Sequence, residues 1–273
     1  MIAALALLPL FALTTFGPDE TNELVAEVMV GPSSFKLMYP APNEPDTVFV
    51  AAFLFDASPV TNAAFLAFVR ANPEWRSDRI APVRADEAYL SQWLSPEELG
   101  PPGPHNGPDQ PVTRVSWYAA KAYCKALGKR LPTEHEWELA AAADETRVDA
   151  RQDPEFQGRV LTWYSRPNSA GLPDVGNGVP NKWGARDLHG LVWEWVSDFN
   201  NTMVTGDSRE KDSPDKTLFC GAGTLAAADG GDYASFMRYA MRSSLAGRFT
   251  TRNLGFRCAH TPNTTPRKGL ERR

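Results

Sequence analysis

The chain has 273 residues, and its 28 Lys and Arg against 33 Asp and Glu give a formal net charge of −5. An apolar fraction of 42% is enough to form a buried core, which excludes a wholly disordered chain. The negative net charge argues against broad nucleic-acid binding, which needs a basic surface. Twenty Gly, 23 Pro and eight Trp favour a loop-rich fold with aromatic packing over a long helical bundle.

The N-terminal segment, residues 1–20, is typical of a secretion signal. Residues 2–16 (IAALALLPLFALTTF) are apolar and uncharged. This run is too short for a membrane span, which needs about 20 apolar residues, and fits the hydrophobic part of a signal peptide. No Lys or Arg precedes it and no clean A-x-A site follows, so a buried N-terminal strand is the alternative. We expect a periplasmic or secreted protein without a stable membrane span.

The next elements are a strand run and a helix. Val48–Phe55 (VFVAAFLF) is rich in β-forming residues. Asn62 is predicted to cap a helix whose apolar residues recur at helical spacing, at Phe65, Leu66, Phe68 and Val69. Residues 98–110 form a turn-dense loop.

Two further helices have clear start signals. Ser116 is predicted to open one that ends at Gly128, and Thr133 with Glu136 has the spacing of a capping box at the start of the other. Residues 145–190 show little periodicity and are predicted to be irregular. Late strands are predicted at Val192–Phe199, Phe236–Leu245 and Leu254–Ala259.

The chain shows no internal repeat and no change of composition that would mark a linker. We therefore expect one domain over residues 21–260. The polar, basic residues 261–273 are predicted to be a disordered tail. A monomer is expected.

Three cysteines, Cys124, Cys220 and Cys258, leave one thiol over after one bridge. The sequence alone allows three pairings. There is no CxxC pair and no Cys–His cluster, so a structural zinc site is not expected.

Four motif-bearing segments follow one another between about residues 46 and 259. They are PVTN at 59–62; PVTRVSW, AYC, GKRLPTE and EWE within 111–138; PNKWGARDLHGLVWEWVSDF at 180–199; and NLGFRCA at 253–259. Together they resemble the formylglycine-generating enzyme (sulfatase-modifying factor) family. The resemblance implies an α+β fold related to C-type lectins, with a small twisted sheet, two or three helices and much irregular chain.

The resemblance also implies a disulfide. In the family, the cysteine of the AYC helix bridges the cysteine of the GFRC strand, and these positions are Cys124 and Cys258 here. A bridge that closes a loop of more than a hundred residues contributes about 4–5 kcal/mol in the chain-entropy model. The alternative is two buried free thiols.

The redox cysteine pair of the family is missing. Formylglycine-generating enzymes carry two cysteines five residues apart after a Gly-Gly-Ser-like turn, and the pair binds Cu(I). No cysteine lies between residues 221 and 257 here, so formylglycine formation is not expected. Cys220 precedes the corresponding turn as a candidate redox or copper-binding thiolate. A small buried side chain is the alternative.

The segment at residues 232–245 (DYASFMRYAMRSSL) corresponds to the family's substrate groove. Arg238, Tyr239 and Arg242 are candidate catalytic residues beside Cys220, because guanidinium groups fork onto carboxylates and a tyrosine can move a proton or a radical. The alternative reading makes the arginines structural partners in salt bridges.

A calcium site is implied by the segment at residues 187–194. The family holds calcium with side-chain and backbone oxygens of this stretch, which correspond to Asp187, Gly190, Val192 and Glu194. The family often has Asn where Leu191 stands. In the alternative reading Glu194 pairs with a buried arginine, either Arg186 or Arg257.

The sequence thus resembles a cysteine-poor branch of the family, similar to the pyoverdine-maturation and nitrite-reductase-accessory proteins. One hypothesis is an oxidative maturation enzyme or accessory factor for a cofactor or a respiratory metalloprotein, with calcium as a structural ion and copper as a possible cofactor. The partner would be a small molecule or a periplasmic protein. The rival hypothesis is a non-catalytic binding module on the lectin-like scaffold.

Overall fold

The computed structural model describes residues 26–37, 45–165, 171–199 and 233–262 of the chain. It combines helices with small sheets in an α+β architecture, as the sequence predicts. The helices are α1 (Asn62–Ala71), α2 (Trp117–Ala126), α3 (Glu134–Ala141), α4 (Pro154–Tyr164) and α5 (Tyr233–Ser243). The strands are β1 (Glu27–Val30), β2 (Ser33–Lys36), β3 (Thr47–Val50), β4 (Phe53–Asp56), β5 (Trp193–Glu194), β6 (Leu254–Gly255) and β7 (Ala259–His260).

The strands form three small sheets. An antiparallel sheet has the order β1-β4-β7, with Phe55 of β4 opposite Val28 on one side and Ala259 on the other. Strands β2 and β3 form an antiparallel pair, and β5 pairs in parallel with β6. Because the early strand β1 and the late strand β7 both pair with β4, the sheet joins the two ends of the described chain. The predicted strand run at Val48–Phe55 is therefore split between β3 and β4, which have different partners.

The core packs the helices against the late strands. Phe65 of α1 stacks on Tyr123 of α2 with ring centroids 5.7 Å apart, and both rings meet Phe256 edge-on. Next to these rings, Cys124 is disulfide-bonded to Cys258, as the family resemblance implies. The bridge holds α2 to the chain between β6 and β7, across 134 residues of sequence.

Two of the three predicted helix caps are present in the structure. Ser116 accepts from the backbone N–H of Ala119, and Thr133 forms the predicted capping box with Glu136. Gly128 follows α2 at φ +72°, a backbone conformation that favours glycine.

The predicted cap of α1 is wrong by one residue. Thr61 is the N-cap, and its hydroxyl accepts from the backbone N–H of Ala64 at 3.1 Å. Asn62 is instead fully buried, donates to the Gly107 carbonyl at 3.0 Å and accepts from Trp93 Nε1 at 3.0 Å. The amide can satisfy both the indole N–H and the loop carbonyl, which explains why a polar side chain is buried there.

The predicted strand at Phe236–Leu245 is also wrong, because residues 236–243 of this segment are helical and belong to α5. The buried side chains of α5 recur at helical spacing, at Ser235, Arg238, Tyr239 and Arg242. Three of these four are polar, so an apolar pattern does not reveal the buried face.

Helix α4 lies in the stretch that was predicted to be irregular. Asp153 accepts from the backbone N–H of Glu155 at 2.8 Å, and Pro154 occupies the first helical position. Phe156 and Val160 are its buried residues, one turn apart. An Asp-Pro start followed by this spacing is the signal that could have predicted the helix.

Several predictions concern residues outside the described ranges. These are the secretion signal at 1–20, Cys220 with the turn after it, and most of the tail at 261–273. Within the described ranges, no helix combines the length and the apolar character needed to cross a membrane.

Candidate functional site

The two candidate catalytic arginines lie on one face of α5, against α3. Arg238 donates through Nε and Nη2 to the carboxylate of Glu138, at 2.9 and 2.6 Å. Arg242 donates through Nη1 to Glu138 at 2.7 Å and to Glu134 at 3.1 Å. All four side chains are at most 5% exposed. The two arginines are four residues apart on α5, and the two glutamates are four residues apart on α3. One face of α5 therefore carries both cations, and the face of α3 that packs on it carries both anions.

Further contacts complete this buried network. Arg238 also donates to the hydroxyl oxygens of Tyr164, at 3.1 Å, and Ser235, at 2.8 Å. The guanidinium carbon of Arg242 lies 4.7 Å from the centroid of the Trp137 ring, a cation–π contact. Burial by itself would raise the pKa of Glu138, but the two guanidinium groups lower it to about 2. The arginines therefore act as partners of a charged carboxylate inside the protein.

The third candidate catalytic residue on α5, Tyr239, is 4% exposed. Burial, and after it the negative charges of Glu138 and Glu134, raise its pKa well above the ordinary value of 10.0. The phenol is thus held in its protonated form, which does not suit it to act as a general base near neutral pH.

The predicted metal-binding residue Glu194 is part of a second buried ion pair. Its carboxylate accepts from Arg257 Nη2 at 2.7 Å and from Arg257 Nε at 2.8 Å, and both side chains are fully buried. Trp137 Nε1 donates to the same carboxylate at 2.8 Å. Of the two arginines that the sequence offered as alternative partners, Arg257 is the one that forms the pair.

The other predicted metal-binding residues lie on the loop before β5. Asp187 accepts from the backbone N–H groups of Gly176, at 2.5 Å, and Gly178, at 2.9 Å. Gly190 has φ +109°, which favours glycine, and Val192 is fully buried. The carboxylate of Asp187 therefore already has backbone donors.

These residues, as arranged here, do not fit a calcium ion. Both oxygens of Glu194 accept from a guanidinium group, whose positive charge occupies the place that a cation would take. Among the described residues there is also no cluster of three or more His, Cys, Asp or Glu side chains that could hold a metal. The calcium site stays a prediction, and in this structure the carboxylate of Glu194 is the partner of Arg257.

A cleft that the sequence did not reveal lies beside this loop, between α4 and residues 178–190. Its volume is about 330 Å³. Phe156, Val160 and Trp163 of α4 line one wall, and His189 lines another. Burial, and after it the positive charge of Arg238, lower the pKa of His189 to about 4. If α4 had been predicted, the position of His189 between Asp187 and Gly190 would have been the sequence signal for this cleft.

The fold and the buried ion pairs define a class of protein. It is an α+β domain in which one sheet joins the first and last described strands, and in which a helix with two arginines packs on a helix with two glutamates. A family model described as "Sulfatase-modifying factor enzyme 1-like domain" matches residues 13–262. The chain belongs to this family, the formylglycine-generating enzyme (sulfatase-modifying factor) family.

Three known proteins illustrate the similarity. The formylglycine-generating enzyme of Streptomyces coelicolor is 30% identical over 275 residues, which cover 85% of this chain and 86% of that protein. The "Inactive C-alpha-formylglycine-generating enzyme 2" of Bos taurus is 31% identical over 252 residues, 80% of each chain. The solved structure of PvdO from Pseudomonas aeruginosa is 18% identical, with a TM-score of 0.44, over 86% of this chain and 94% of PvdO.

Proposed function

We propose that this protein makes no formylglycine and works as an accessory factor that binds a small molecule or a partner protein. The observation that carries the proposal is the state of the arginines on α5. Arg238 and Arg242 are both held by the buried carboxylate of Glu138 and are not presented to a substrate. The absence of any cysteine between residues 221 and 257 points the same way, since the family's oxidation needs its cysteine pair.

One relative in the family is named as an inactive formylglycine-generating enzyme. The relative in Bos taurus that is 31% identical carries the word "inactive" in its name. A domain that keeps the scaffold and its disulfide while it lacks the redox pair can still present a binding surface. An exported location belongs to the proposal, because a bridge such as Cys124–Cys258 persists in oxidising compartments.

A second candidate function is the oxidative maturation of a cofactor or of a respiratory metalloprotein. The observation in its favour is that the bridge uses Cys124 and Cys258, which leaves Cys220 as the one remaining thiol. In this function Cys220 would hold a copper ion, which would supply the redox chemistry for the two-electron oxidation of a client by O₂, with hydrogen peroxide as the other product.

One experiment separates these functions. The protein is incubated with Cu(I) and a peptide that carries the sulfatase motif, and the aldehyde is sought by mass spectrometry, with the Streptomyces coelicolor enzyme as positive control. Oxygen uptake with catechol is measured in parallel for the protein and for Cys220→Ser. The binding proposal expects no aldehyde and no protein-dependent oxygen uptake. Aldehyde formation would refute it, and uptake that disappears in Cys220→Ser would replace it with the oxidative function.

A further inference from the structure

Residues 233–262 carry more positive charge than their ion pairs use. They contain five arginines and no Asp or Glu. Three of these arginines are the buried partners of glutamates described above. The other two, Arg248 and Arg252, are exposed, and neither forms an ion pair with a described residue. An unpaired guanidinium group at the surface can bind a carboxylate from another molecule.

Hydrogen bonds hold residues 247–252 against the chain that leads into α2. The backbone N–H of Trp117 donates to the Gly247 carbonyl at 3.0 Å, and that of Arg114 donates to the Thr251 carbonyl at 3.1 Å. Both ends of the segment are therefore fixed to the same neighbour. This register adds the half-buried Arg114, which also forms no ion pair with a described residue, to the two exposed arginines.

The imidazole of His105 shows that two of these arginines converge. Burial, and after it the positive charges of Arg252 and Arg114, lower the pKa of this ring below its ordinary value of 6.5. The two guanidinium groups come from distant parts of the chain and act on the same side chain. His105 is neutral near pH 7 as a result, so the positive charge at this surface belongs to the arginines.

The carboxylates on the adjoining chain do not cancel this charge. Asp86 accepts from the backbone N–H groups of Thr250 and Ala88, each at 3.1 Å, and the Thr250 hydroxyl also donates to it. Asp86 forms no ion pair with a described arginine, and Glu87, the next residue, is exposed. On these hydrogen-bonded segments three arginines outnumber two carboxylates. The surface is therefore locally positive, although the net charge of the protein is −5.

Two exposed aromatic rings lie among these arginines. Tyr118 is 40% exposed and Phe249 is 36% exposed. The Tyr118 ring lies against Gly247, where a Cβ atom would be 3.1 Å from Cε2 of the ring. Arginine and aromatic side chains are enriched at protein–protein interfaces, where they supply much of the binding energy.

We propose that these residues bind an acidic segment of a partner protein. This arginine–aromatic surface consists of Arg114, Tyr118, Arg248, Phe249 and Arg252. Carboxylates of the partner segment accept from the guanidinium groups, and an apolar side chain of the segment packs on the two rings. The inference rests on the proposed function, because it names the kind of partner that the accessory factor binds.

The test compares two fluorescein-labelled peptides, GEEFEEFEEG and its matched control GQQFQQFQQG, which differ in charge but hardly in shape. Fluorescence anisotropy measures their binding to the full chain. A labelled single strand of thymidine nucleotides tests the nucleic-acid alternative, which the net charge of −5 disfavours.

We expect the Glu peptide to bind about tenfold more tightly than the Gln peptide. Its affinity should fall between about 0.1 M and about 1 M salt, because the screening length drops from about 10 Å to about 3 Å. Equal affinities for the two peptides, no binding of the Glu peptide at millimolar concentration, or tighter binding of the oligonucleotide would overturn the proposal.

Variants at the two exposed arginines localise the surface. Arg248→Glu and Arg252→Glu are each expected to weaken binding of the Glu peptide about fivefold or more. Lys36→Glu makes the same change of charge at an exposed position on β2 and should leave the affinity unchanged. The double variant Arg248→Gln/Arg252→Gln removes both charges without adding new ones, and it serves if charge reversal disturbs the fold.

Melting curves establish that each variant is folded. Wild-type affinity in the folded double variant would contradict the assignment. The aldehyde and oxygen assays test the proposed function separately. If the Glu peptide fails to bind while those assays stay negative, the arginine–aromatic surface is refuted and the proposed function stands.

Discussion

The buried pair between Glu194 and Arg257 allows a sharp prediction about Glu194→Gln. Gln has nearly the same shape as Glu, so the change removes the charge and leaves the packing. The guanidinium of Arg257 stays fully buried and keeps its bonds to the carbonyl oxygens of Asp56, Ala57 and Arg186, but it loses its anion. Breaking a buried ion pair from one side costs about 3–5 kcal/mol. This is a large part of the 5–15 kcal/mol typical of a folded domain.

The assay is denaturant unfolding followed by circular dichroism. Glu145→Gln is the matched control, because Glu145 makes an ion pair with Arg159 in which both side chains are at least 43% exposed. An exposed pair of this kind contributes under about 1 kcal/mol. The double variant Glu194→Gln/Arg257→Met removes the stranded charge and is expected to be more stable than the sum of the two single changes implies.

The same variant also decides the calcium prediction. If Glu194 is the partner of Arg257, a chelator leaves the melting temperature of the wild type unchanged. If Glu194 is a calcium ligand, chelator lowers that temperature, added calcium restores it, and Glu194→Gln abolishes both effects. A loss of less than about 1 kcal/mol in Glu194→Gln would refute the reasoning from the ion pair.

Three other predictions can be checked on the same purified protein. With Cys124 and Cys258 bridged, Ellman titration of the unfolded protein should find one thiol without reductant and three after reduction; three without reductant would contradict the bridge. Because the folded pKa of Glu138, about 2, lies below its ordinary value of 4.5, its contribution to stability is complete above about pH 5 and is lost as the pH falls towards 2. The unfolding free energy of Glu138→Gln should therefore fall less steeply over that range than that of the wild type. Thr61→Ala should cost about 1 kcal/mol as the loss of a helix cap, and Asn62→Ala should cost more, because it leaves a buried indole N–H without an acceptor; equal losses would count against the assigned roles.

Local rules predicted two of the helix starts correctly. The caps at Ser116 and at Thr133 with Glu136 depend on bonds within three residues, so their spacing predicts them. Helix α4 follows the same kind of rule, and its Asp153-Pro154 start was readable in the sequence. The α+β class followed from the family resemblance.

Helix α5 shows where local rules fail. Its buried face includes Arg238 and Arg242, and a search for apolar periodicity counts arginine as exposed. Their partner Glu138 is 100 residues away from Arg238 in sequence, so no local window contains both charges. Only the docking of α5 on α3 makes burial of these side chains favourable, because each guanidinium then meets a carboxylate.

The sequence by itself determined the family and the missing cysteine pair, because these depend on which residue types are present and in what order. The residues alone allowed three cysteine pairings, and the family resemblance implied the bridge that the structure contains. The sequence left open whether Glu194 binds a metal or an arginine, and which arginine. The parallel pairing of β5 with β6 places Glu194 opposite Gly255, two residues before Arg257, and so brings the carboxylate to that guanidinium. A bidentate bond in a fully buried site depends on this register, which only the tertiary structure decides.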